Sequence, residues 1–119
     1  MKYEDIISIL LKEFPVLKDK YEKEKDYLEN LPYLCFEIIF VQYIKNMCVK
    51  SCDEELYKIG NFIERGLLCH DKKISELIVV AVLESLIVDR EIIAILKKYM
   101  LRATNEEVLR LEKYYGWIK

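Results

Sequence analysis

The chain has 119 residues, 53% of them hydrophobic and 34% charged, with three Gly and two Pro. Such a composition excludes collagenous, low-complexity and disordered chains and points to one domain over residues 1–119. The 19 basic and 21 acidic side chains give a net charge of −2, spread as 9 against 12 over residues 1–60 and 10 against 9 over 61–119, which excludes the basic footprint that nucleic acid requires.

Ile6, Ile7, Leu10 and Leu11 recur at helical spacing, and Pro15 forbids continuation of that first helix. A second short helix is predicted from Leu17 to about Leu28, carrying an alternating charge run that suits a solvated face. Asn30 is the predicted N-cap of the next helix, with Pro32 in its first turn, running to about Met47. Ser51-Cys52-Asp53-Glu54 reads as a capping box, followed by the stripe Leu56, Ile59, Gly60, Ile63 and Leu67.

Asp71 is predicted to start the most apolar segment, Ile74 to Val88, as the central helix. Asp89 is the expected cap of a helix through Met100, and Thr104-Asn105-Glu106-Glu107 a second capping box for a last helix ending near Gly116. No alternating strand pattern appears. The expected fold is all-α, a compact bundle or a short stack of antiparallel helix pairs, with six or seven helices.

Met1 to Asp5 carries acids where an export signal carries bases, so the expected location is the cytoplasm with reduced thiols. The longest apolar run, Leu77 to Leu83, falls short of the roughly 20 residues that span a bilayer, and no membrane partner is expected.

Three constellations invite a chemical reading. Cys69 and the single His70 are adjacent, which aims their side chains apart rather than into a nucleophile pair. Cys48, Cys52, Cys69 and His70 contain four metal-ligand types, but their spacing lacks the paired knuckles of a zinc site, so no metal or cofactor is expected. Glu37 and Glu84 lie in apolar runs, where two carboxylates of separated pKa suit acid/base work. Few Asn, Ser or Thr are at hand to line a substrate cleft, and a carboxylate fixed by Lys or Tyr is the simpler expectation. A small helical enzyme or metal-dependent regulator built on these residues is the alternative to a binding protein.

Nine tyrosines are more than a helical core of this size needs, and tyrosine is enriched at interfaces. Tyr21 and Tyr27 fall in the charged segment beside Glu24 and Asp26, and Asp53, Glu54 and Glu55 form a second acidic cluster. These seven residues are the predicted partner-binding surface.

Phe14-Pro15, Leu31-Pro32-Tyr33, Phe62-Ile63-Glu64, Val82-Leu83-Glu84-Ser85-Leu86 and Tyr115-Gly116-Trp117 together resemble a small all-helical bacterial domain family. Proteins of this kind are similar to the immunity proteins encoded beside secreted toxins of contact-dependent inhibition and related polymorphic toxin systems. The resemblance implies a non-enzymatic, cytoplasmic binder, a monomer or weak homodimer, that blocks a cognate toxin domain, often a nuclease. It carries over no catalytic residues. The even charge balance departs from the strong acidity common among inhibitors of basic nucleases and argues against purely electrostatic mimicry of nucleic acid.

Overall fold

A computed structural model describes residues 1–117. Eight helices are present, and no strand occurs among the described residues: α1 (Ile6–Glu13), α2 (Lys18–Lys23), α3 (Lys25–Leu28), α4 (residues 32–50), α5 (Asp53–Leu67), α6 (residues 72–87), α7 (Arg90–Leu96) and α8 (Arg102–Tyr114). The count exceeds the six or seven expected because the segment from Leu17 to Leu28 is not one helix. Its backbone breaks at Glu24 (φ −116°, ψ 13°), which ends α2 and begins α3.

Two helices occupy the centre. Both α4 and α6 contain a six-residue π-helical stretch, Phe36–Val41 and Ile78–Leu83, and these two stretches pack against each other. A π turn holds more residues than an α turn, so apolar side chains spread around more of the helix circumference. Phe36, Ile39, Phe40 and Val41 on one side and Ile78, Ala81, Val82 and Leu83 on the other are all buried. Around this centre, α1 and α3 contact α4, α5 contacts α4, α6 and α8, and α7 contacts α4 and α6. Phe14, Phe40 and Phe62 form a triangle with ring centroids 5.3–5.5 Å apart, which ties the end of α1 to α4 and α5.

Among the described residues no helix is long and apolar enough to cross a membrane.

Helix ends follow the sequence unevenly. Asp71 accepts from the Lys73 amide at 3.0 Å, and Asp89 from the Ile92 amide at 3.3 Å, as their positions predicted. The other three caps differ. Asn30 takes the left-handed conformation (φ 65°), one residue ahead of the true cap, Leu31. Ser51 is likewise left-handed (φ 55°) and terminates α4, which runs to Lys50 rather than Met47. There the Ser51 amide donates to the Cys48 carbonyl and the Cys52 amide to that of Met47, so the serine closes one helix instead of capping the next. Thr104 lies inside α8, and its hydroxyl is committed elsewhere. The segment after Asp89 leaves α geometry at Leu96 and finishes as a 3-10 turn, Lys97–Tyr99.

Candidate functional site

The expected acid and tyrosine residues separate into two groups. Tyr21 is only 7% exposed and belongs to the core, which corrects its place on a solvated face. Turning α2 away at Glu24 leaves Asp26 and Tyr27 outside, with Tyr27 62% exposed and Glu24 half-buried. Asp53, Glu54 and Glu55 open α5. No hydrogen bond, ion pair or ring contact joins the two groups among the described residues.

The α5 group meets different tyrosines. Tyr99, brought in by the 3-10 turn after α7, donates its phenolic hydrogen to Asp53, and Tyr43 of α4 donates to Glu55. Tyr57 stands one helical turn beyond Asp53, 64% exposed, and meets Tyr99 edge to face at 4.9 Å between centroids. The hydrogen bond to Asp53 pushes the Tyr99 hydroxyl up to about 12. Burial, then the bond to Glu55, raises that of Tyr43 as well. Both phenols therefore remain donors at neutral pH and hold their rings in place.

The close fit of Tyr99 depends on Gly60. A Cβ built at Gly60 would lie 2.2 Å from the Tyr99 carbonyl oxygen, so only glycine lets this turn settle on α5. Tyr57 was not among the seven predicted residues, although its place one helical turn beyond Asp53 was a signal that could have found it. Tyr99, 46 residues from Asp53 in sequence, left no local signal.

The residues of the alternative reading do not converge. Glu37, within the first π stretch, is exposed despite its apolar neighbours in sequence. Glu84 is half-buried and accepts from the Tyr115 hydroxyl at 3.2 Å. Cys48 is fully buried, and desolvation pushes its thiol up to about 11. The Cys69 thiol donates to the Met1 carbonyl at 3.6 Å, and His70 is exposed. Among the described residues no three His, Cys, Asp or Glu side chains are grouped to hold a metal ion.

Two buried carboxylates escaped the sequence reading, and both are structural. Glu64 of α5 accepts from the Ala103 amide at 3.0 Å, and from the Thr104 amide and hydroxyl at 2.9 and 2.8 Å. Its side chain thus does for α8 what a local capping box would have done. Glu112 is held by Arg90 at 2.5 Å and Lys97 at 2.9 Å. At the C-terminal end, Tyr114, Tyr115 and Trp117 are exposed, and the Arg90 guanidinium lies 4.7 Å from the Trp117 ring centre.

Residues 7–116 match the family model described as a domain of unknown function, DUF7674. No curated protein and no solved structure matches the chain.

Proposed function

The chain belongs to the DUF7674 family, a domain of unknown function, and we propose that it is a protein-binding module, an immunity protein that neutralises a cognate toxin domain by direct contact in the cytoplasm. The observation that carries this reading is the ordered tyrosine pair Tyr57–Tyr99 beside the acidic start of α5. Tyr57 is exposed, and half-buried Tyr99, against whose ring it packs, is already tethered through its hydroxyl, so that support loses little freedom on binding. Exposed Glu54 adds negative charge at the rim, where charge mainly speeds encounter. Tyr57 is the anchor, with Tyr27 and Asp26 as a separate, outlying patch.

The test begins with the neighbouring reading frames: a large toxin frame immediately upstream is expected, and its toxin domain is co-expressed with this chain and followed by surface-binding kinetics. Tyr57→Ala is expected to speed dissociation and cost about 2 kcal/mol or more, and Glu54→Lys to slow association and weaken its salt dependence. Both side chains are exposed, so folding survives each change. If both variants protect cells and bind the toxin as the parent does, the acid and tyrosine face is not the interface.

A further inference from the structure

A groove of about 1150 Å³ lies between α1, the α2–α3 arm and the start of α6. Its floor is apolar, formed by buried Ile6 and half-buried Ile7 and Leu11, the outward flank of the α1 stripe. Lys2, Lys12, Lys18, Lys25 and Lys73 line it, and none of the five has an ion-pair partner among the described residues. Four acids line it too. One, Asp71, is already occupied by the amides of Tyr3 and Lys73, at 2.9 and 3.0 Å, which leaves Glu4, Glu22 and Glu29.

Tyr21 supplies an independent observation. It lines the groove and is more than nine-tenths buried, yet its hydroxyl makes no hydrogen bond to any described residue. No side-chain oxygen among the described residues is both sealed from solvent and unpartnered, so this hydroxyl opens into the groove. A phenol in that position is a free donor at the end of a rigid side chain.

We propose that this groove binds an acidic amphipathic segment of a partner protein, with apolar side chains on the Ile6–Ile7–Leu11 floor, carboxylates on the lysines and an acceptor on the Tyr21 hydroxyl. Five lysines against four acids make the groove locally +1 in a chain of net charge −2. Its volume exceeds the roughly 300–1,000 Å³ of small-molecule sites, which favours a peptide over a small anion. The apolar floor within a basic border matches a helix-in-groove mode of recognition. Glu4, Glu22 and Glu29 interrupt the lysine border, so the fit is to a segment whose carboxylates are spaced among apolar side chains, whereas a phosphodiester chain carries charge at every step. The site is distinct from the acid and tyrosine face, and its test needs no toxin.

The probe is a synthetic peptide of Leu and Glu at helical spacing, titrated into isotope-labelled protein and followed by NMR amide shifts. The shifts are expected to concentrate at Ile7, Leu11 and Tyr21. Affinity should drop about tenfold in the Lys12→Glu/Lys18→Glu variant, roughly threefold in Tyr21→Phe, and also when the peptide's Glu are replaced by Gln. Circular dichroism of the exposed-site lysine variant should match the parent, so lost binding is not lost folding. Absence of shifts, shifts centred elsewhere, equal affinity in the lysine variant, or tighter binding of a single-stranded oligonucleotide than of the acidic peptide would overturn the proposal.

Discussion

Glu112 is nearly inaccessible, while its partners Arg90 and Lys97 keep over two-fifths of their side chains in solvent. That asymmetry decides which substitution hurts most. Removing both cations by Arg90→Ala/Lys97→Ala leaves a carboxylate buried without a counter-charge, at about 3–5 kcal/mol, whereas Glu112→Gln releases two cations that water can solvate. Chemical denaturation at neutral pH should rank the double variant well below Glu112→Gln. Burial pushes the Glu64 and Glu112 carboxyls up, but the hydrogen bonds each accepts outweigh it, and both end below the usual carboxylate value. A carboxylate with a lowered folded pKa contributes stability that is complete above its unfolded value, near about 4.3, and is lost as pH falls through the folded one. Denaturation curves across that acid range should therefore flatten in Glu64→Gln/Glu112→Gln relative to the parent. Neither residue was legible beforehand: Glu64 sits between Ile63 and Arg65, and its ligands are 39 and 40 residues away.

At the scale of elements, regular amphipathic pattern was readable and chain-end geometry was not. In the α5 stripe Leu56, Ile59, Gly60 and Ile63 are buried as the spacing predicted and Leu67, at its end, is half-buried, and Asp71 and Asp89 cap where expected. Ser51 and Thr104 failed because side-chain type alone does not say which of two adjoining helices a residue serves, or whether a distant carboxylate has taken over the capping. The tyrosine face shows the same division: the acids Asp53, Glu54 and Glu55 were read and Tyr57, one turn on, lay within reach of the same spacing but was missed, while Tyr99 arrives through tertiary packing. Gly60 links the two levels. Gly60→Ala gains up to about 1 kcal/mol of helix propensity but forces the Tyr99 backbone away, and overpacking of this kind costs about 1–3 kcal/mol. The expected net result is a lower melting temperature. Near-ultraviolet circular dichroism should also change as the Tyr57–Tyr99 pair separates, which a uniform loss of stability without displacement of Tyr99 would not produce.

Across the whole molecule, the apolar core runs as one cluster from Ile6 to Leu111, with the two π-helical stretches at its middle. Each stretch carries one residue more than an α-helix needs to connect the same two ends. That spare residue gives the chain tolerance to a change of length in its most buried region, where shortening is normally ruinous. Deleting Ile38, half-buried within the first stretch, lets the segment close into continuous α-helix with the flanking registers of Cys35 and Ile44 preserved. Deleting Lys58 from α5 has no such remedy, because every later position rotates by about 100° and Ile59, Phe62 and Ile63 leave the core. Thermal melts of the two single-residue deletions should separate them, with the Ile38 deletion cooperative and the Lys58 deletion without a transition. The centre of this fold is thus the place where its reading frame of side chains can absorb a missing residue, and the regular helix beside it is where it cannot.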